Sequence, residues 1–132
     1  MKKLAIAVAM LVAAVGIAVW SGITFNREMS SLTAALENLL EISEDCDDQT
    51  LDKETAKALA VWGEASKALH ALVMHDAMNE VEQSITALPD ILRHGGREEF
   101  RIKCIEALSQ IQNLVNAERL SWENVLRIMY EL

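Results

Sequence analysis

Three polar side chains at helical spacing are the best candidates for chemistry in this sequence. His75 and Asn79 lie four residues apart, so a helix places them on one face, and Glu82 follows one turn later. Such a cluster can hydrogen-bond to a neighbouring helix and fix its register, or His75 can supply one metal ligand. We favour the hydrogen-bonded network. His70 is five residues from His75 and belongs to a different face, which weakens a two-histidine metal site.

Other chemistry-bearing patterns are absent from the sequence. It has no glycine-rich phosphate loop, no His-Glu-x-x-His and no Gly-x-Ser-x-Gly. Cys46 and Cys104 are the only cysteines and do not have the spacing of a zinc site. We therefore predict no catalytic residue, no metal site and no cofactor, and expect a protein that is not an enzyme.

An uncharged apolar segment at residues 4–25 precedes these candidates. At about 1.5 Å per residue a helix of this length spans about 33 Å, close to the roughly 30 Å hydrocarbon core of a bilayer. The alternative is a cleaved signal peptide, which usually ends at a small-x-small site. Because Trp20 stands where a small residue is needed, we predict a retained transmembrane anchor at residues 1–26.

The charges that flank this segment predict its orientation. Lys2 and Lys3 precede it, whereas Arg27 and Glu28 cancel on the other side. The positive-inside rule then keeps the N-terminus in the cytoplasm and places residues 27–132 outside it, as a single-pass protein of the cell membrane. The bilayer is thus an expected partner, through residues 4–25.

Small residues recur every four positions within the apolar segment, a spacing that allows a second helix to approach closely. The two stripes are Ala5, Ala9 and Ala13, and Ala14, Ala18 and Gly22. They make a membrane-protein partner or self-association a reasonable expectation.

The charge of residues 27–132 excludes one class of partner. With Lys2 and Lys3 set aside, ten of the 12 Lys/Arg remain against all 20 Asp/Glu, a net charge of about −10. Such a surface repels phosphate backbones, so we expect no nucleic-acid binding.

Apolar residues recur at intervals of three and four after Arg27, which predicts helices throughout. The first helix continues out of the anchor and ends near Ser43, where four carboxylates within residues 44–48 indicate a solvated turn. Asp52 or Thr50 can cap the next helix. The apolar spacing of this next helix continues to Leu92, which fits either one long helix or two helices with a break near His75.

Pro89 should kink or end that run, and Gly95-Gly96 should stop it. A further helix begins near Arg97, and Ser121 can cap a short closing helix. The predicted fold is all-α: an N-terminal transmembrane helix followed by an antiparallel helical hairpin or a three- to four-helix bundle.

Two tryptophans and a basic patch complete the candidates. Trp62 and Trp122 lie among apolar seam positions and are expected in the core. The basic patch surrounds the glycine turn, and we expect it to pair with neighbouring carboxylates and helix carbonyls, the alternative being an acidic partner or lipid headgroups. It comprises Arg93, His94, Arg97, Arg101 and Lys103.

The two cysteines allow two interpretations. An extracytoplasmic location permits a disulfide between Cys46 and Cys104, provided that the fold brings their Cα atoms within reach. The simpler interpretation is two unpaired thiols, one of them half-buried.

Several motifs together resemble domain-of-unknown-function family 4363. They are the Lys-Lys sequence before an apolar anchor, the segment WGEASKALHALVMHDAMNEVE, and the closing LSWENVL. The resemblance covers nearly the whole chain, and Trp62, His75 and Asn124 match recurrent positions of the family. It implies a single-pass membrane protein of mainly spore-forming Gram-positive bacteria, helical and with no established activity. Asn79 stands where the family pattern has an aspartate, which weakens any role that needs a carboxylate there.

The sequence therefore favours a membrane-anchored, non-enzymatic interaction or accessory module at the outer face of the cytoplasmic membrane. The alternative is an extracytoplasmic sensor or ligand-binding domain that uses the polar face of His75, Asn79 and Glu82.

Overall fold

The computed structural model describes residues 1–69 and 75–131, with the backbone but not the side chain of His75. These residues form an all-helical fold. In chain order the helices are α1 (Lys2–Ile42), α2 (Asp48–Leu69), α3 (His75–Thr86), α4 (Leu88–His94) and α5 (Gly96–Glu131). The predicted all-α class is confirmed. Whether the run from 51 to 93 is continuous depends partly on residues 70–74, which lie outside the described residues.

Helix α1 has two parts with different surroundings. Every residue from Met1 to Ile17 is exposed, and burial begins at Thr24 and Phe25. From there Met29, Leu32 and further residues at spacings of three and four enter the core. Only α1, among the described residues, contains a segment long and apolar enough to cross a membrane, and none of that segment is buried. An uncovered N-terminal helix of this kind is consistent with a membrane anchor or a signal sequence.

The bundle forms because each helix contributes one apolar face. Helix α1 packs against α2 and α5, and α3 and α4 pack against α5. Ion pairs are confined to the surface, so packing of these apolar faces provides most of the stability. The most deeply buried large side chains are Leu32, Leu36, Leu39, Leu51, Leu69, Val81, Ile85, Leu88, Phe100 and Ile111.

Two predicted helix ends are confirmed. Helix α1 ends at Ile42, and the backbone amide of Ser43 donates to the Leu39 carbonyl at 3.0 Å. A turn at Ala87 separates α3 from α4, and Pro89 lies in the first turn of α4. The proline has no amide hydrogen to donate to the preceding turn, which explains the interruption two residues earlier.

Helix α5 differs from the prediction. The sequence suggested that Ser121 caps a separate closing helix, but α5 runs without a break from Gly96 to Glu131. Ser121 lies in its interior and is exposed. A serine caps a helix only where backbone amides are left unpaired, and the intact α5 leaves none at this position.

The Gly95-Gly96 turn reverses the chain between α4 and α5. Gly96 has a φ of +87°, a conformation that L side chains rarely adopt. We expect Gly96→Ala to reduce the free energy of unfolding by about 1 kcal/mol or more. The measurement is chemical denaturation of the full-length protein in detergent micelles.

Gly63 provides the matched control. It lies within α2, and nothing stands within 4 Å of a Cβ added there. Gly63→Ala should raise the free energy of unfolding by about 0.5–1 kcal/mol, because alanine has the better helix propensity. Equal effects of the two substitutions would contradict the assigned backbone conformation of Gly96.

Candidate functional site

The predicted polar face lies on α3. Asn79 and Glu82 are both exposed to solvent, and His75 is the first residue of the helix. The His75 side chain lies outside the described residues, so the structure does not test whether the three groups meet. Among residues 1–69 and 76–131, no group of three or more histidine, cysteine or acidic side chains could hold a metal ion.

Another pair makes the cross-helix polar contact that was expected of this cluster. The Ser84 hydroxyl donates to Gln110 Oε1 at 2.7 Å, which joins α3 to α5. Ser84 is buried beside Ile85 and three residues after Val81, on the apolar face of α3. A serine within an apolar seam is the sequence signal that could have identified this contact.

The acidic turn between α1 and α2 binds the start of α5. Arg97 Nη1 donates to the Ser43 carbonyl at 3.1 Å, and Arg97 Nη2 donates to Asp48 Oδ1 at 2.9 Å. Arg101 Nη2 donates to Glu44 Oε1, also at 2.9 Å. The expectation that the basic patch pairs with nearby carboxylates and a helix carbonyl is confirmed for these two arginines. Lys103 pairs within its own helix, with Glu106 at 3.1 Å.

The Ser43 contact has a structural reason. The last carbonyls of a helix have no intrahelical partner, and a cation near them also interacts favourably with the helix dipole. Arg97 therefore stabilises the end of α1 as well as pairing with Asp48. The turn predicted as solvated is exposed, but two of its carboxylates pair with arginines of α5.

Helix α2 is capped by a residue that the sequence analysis did not select. The backbone amide of Thr50 donates to Asp47 Oδ1 at 3.2 Å, so Asp47, rather than Asp52 or Thr50, accepts the bond at the helix start. Hydrogen bonds from the Thr50 side chain and then its backbone amide hold the pKa of Asp47 below its ordinary value. This contribution to stability is present above the ordinary carboxyl pKa and is lost as the pH falls through the lowered pKa.

The two tryptophans have different surroundings. Trp62 is buried in the core as predicted, with 4% of its surface exposed. The prediction for Trp122 was wrong, because this residue is only half-buried and lies beside Gly22 at the edge of the bundle. A methyl group placed on Gly22 would lie 3.9 Å from Trp122 Nε1. Trp122 thus contacts α1 where its uncovered part begins.

The remaining exposed apolar side chains of the bundle lie on α5. Ile102 and Ile105 are 58% and 56% exposed, three residues apart on the side opposite Phe100 and Cys104. They border an open depression of about 560 Å³ that is also lined by Ser43, Glu44, Arg97, Glu98 and Arg101. This depression is shallow, and it suits contact with another protein surface better than enclosure of a small ligand.

Comparison with known proteins adds no assignment. No family model, no curated protein and no solved structure matches this chain. The resemblance to family 4363 therefore stays a prediction that rests on the motifs around Trp62, His75 and Asn124.

The Arg97 contacts predict an order of stability effects. Arg97→Ala should lower the denaturation midpoint more than Asp48→Asn, because it also removes the donor to the Ser43 carbonyl, whereas the Asp48 side chain is 90% exposed. Arg93→Ala is the matched control, since this arginine of the same patch is exposed in the last turn of α4. If Arg93→Ala and Arg97→Ala had the same effect, the two hydrogen bonds would not stabilise the turn.

The cysteines give a prediction about pH. Both thiols are free, Cys46 half-buried and Cys104 buried. Burial raises the pKa of Cys104 to about 12, so the folded protein favours its neutral thiol. The resulting stability is present below the ordinary thiol pKa of about 9 and is lost as the pH rises towards 12. The free-energy difference between wild type and Cys104→Ala should therefore shrink over this range in denaturant titrations, and a constant difference would contradict it.

Proposed function

We propose that this protein is a membrane-anchored, non-enzymatic interaction module, held by α1 at the outer face of the cytoplasmic membrane. The main support for this proposal is the exposed apolar surface of α1. Its uncharged segment is continuously exposed over residues 4–17, about four helical turns, while the rest of the same helix lies in a well-packed core. An apolar surface of this size is costly in water and is stabilised in lipid.

The orientation follows from charge. Lys2 and Lys3 precede the uncovered segment, and the acidic bundle follows it. Retention of cations on the cytoplasmic side places the bundle outside. The Trp20 side chain, 63% exposed near the end of the segment, then lies near the outer interface, where tryptophan is enriched.

The contact surface of the module is the patch formed by Ile102 and Ile105. The two side chains are exposed on a helix whose other apolar residues in this region are buried, and paired charges lie beside them. An apolar centre with a polar rim is the usual arrangement of a protein-binding surface. Its partner would be another protein of the same membrane or a second copy of this chain.

A site-specific crosslink tests this proposal. A photo-activatable residue at Ile105 should form a discrete adduct in intact membranes, whereas the same residue at Lys53, exposed on α2, should not. The membranes are washed with carbonate beforehand, so that only integral proteins remain. Release of the protein by the wash would contradict the anchor, and adducts no stronger at Ile105 than at Lys53 would contradict the patch.

The sensor alternative has less support. Asn79 and Glu82 are exposed on the surface of α3 and do not line a described depression. We therefore place the interaction surface on α5.

A further inference from the structure

The last ten described residues of α5, here called the α5 tail (residues 122–131), begin at the edge of the bundle and extend beyond it. Arg97 contacts Ser43 at one end of the helix pair, and Trp122 lies beside Gly22 at the other. Helix α5 is therefore antiparallel to α1. Beyond Trp122 it extends towards the N-terminal end of α1, by about 14 Å at 1.5 Å per residue.

Helices α1 and α5 become exposed at the same level of the bundle. Gly22 and Trp122 are half-buried, whereas every residue from Glu123 to Glu131 is exposed, as is every residue from Met1 to Ile17. The α5 tail thus leaves the bundle beside the segment of α1 that we assign to the membrane. Its surroundings are therefore those of the outer half of that segment.

The α5 tail is strongly amphipathic. Glu123, Arg127 and Glu131 recur every four residues and form one narrow stripe, with Arg127 Nε 3.7 Å from Glu131 Oε1. A broad apolar face occupies the rest of the helix. Its members are Trp122, Val125, Leu126, Ile128, Met129 and Tyr130.

This apolar face is nearly bare. Leu126, Ile128 and Met129 are each about 60% exposed, and Tyr130 is 93% exposed. The face continues the side of α5 on which Cys104, Ile111 and Leu114 enter the core. The apolar spacing that is typical of a buried helix face therefore continues beyond Trp122, where no other described helix of the bundle covers that face.

We propose that the α5 tail lies in the outer leaflet, beside the outer half of the membrane segment of α1, with its apolar face against the acyl chains. This inference rests on the anchor of the proposed function and adds a second contact with the same membrane. The charged stripe is on the opposite side of the helix and faces away from these acyl chains. Trp122, at the outer end of the face, suits this location, because its ring favours the interface.

Lipid fits this face better than a soluble partner does. The tail is adjacent to the membrane segment, so any protein that covered it would itself have to reach the interface. The stripe carries charges of both signs, which gives little attraction to anionic lipid as such. Attachment is therefore through apolar insertion of a helix that runs beside α1 and keeps the direction of the unbroken α5.

Spin labels at three positions test the proposal in the full-length protein. The background is Cys46→Ser, in which the buried Cys104 stays unlabelled. Met129→Cys reports on the apolar face, and Asn124→Cys is the matched control on the charged side, about 140° away. Val12→Cys on α1 reports on the anchor. The protein is reconstituted in vesicles of phosphatidylethanolamine and phosphatidylglycerol, and collision with oxygen and with an aqueous nickel chelate is measured.

The expected result is a ratio of oxygen to nickel accessibility several-fold higher at 129 than at 124, with position 12 higher still. Equal, nickel-accessible labels at 129 and 124 would overturn the proposal while leaving the anchor intact, provided that position 12 is lipid-exposed. A label at 129 that neither reagent reaches would also overturn it, and would indicate a second copy over the face. An aqueous label at position 12 would remove the anchor and the proposal together.

Discussion

The continuity of α1 is the constraint on which the rest of the structure depends. A single helix without a break serves two environments: its first part is uncovered, and from Phe25 onward its apolar residues enter the bundle core. Because the helix has no hinge, the orientation of the bundle relative to the apolar segment is set by the helix itself. Every surface of the bundle therefore has a defined height above that segment, including the patch of Ile102 and Ile105, whereas the α5 tail runs beside the segment.

The bundle maintains this arrangement at both ends of the α1–α5 pair. At one end Arg97 and Arg101 join the α1–α2 turn to the start of α5. At the other end the Trp122 indole lies beside Gly22 of α1. Neither contact has a large energy, since the arginines are partly exposed. Their effect is on orientation, whereas the free energy of folding comes mainly from the buried leucine, isoleucine and phenylalanine side chains.

The functional proposals follow from the uneven distribution of exposed apolar surface. Proteins that remain in water rarely expose a contiguous apolar surface as large as that of α1. Among the described residues, the large exposed apolar side chains are concentrated on α1, on Leu120 and the α5 tail, and on Ile102 and Ile105. The first two lie side by side, and we propose one explanation for both, the bilayer. The third lies at the far end of the bundle, and a protein partner explains it better.

The sequence by itself determined the all-helical class, the end of α1 near Ser43, the interruption around Pro89 and the reversal at Gly95-Gly96. These features depend on local causes: the period of apolar residues, the missing amide of proline and the conformational freedom of glycine. Only the tertiary structure decided the rest. It shows that α5 passes Ser121 without a break, that Asp47 caps α2, and that Ser84 reaches Gln110 across the bundle. It also places Trp122 at the edge of the bundle. The burial of a side chain depends on whether a neighbouring helix packs against it, which the spacing of residues along one chain does not determine.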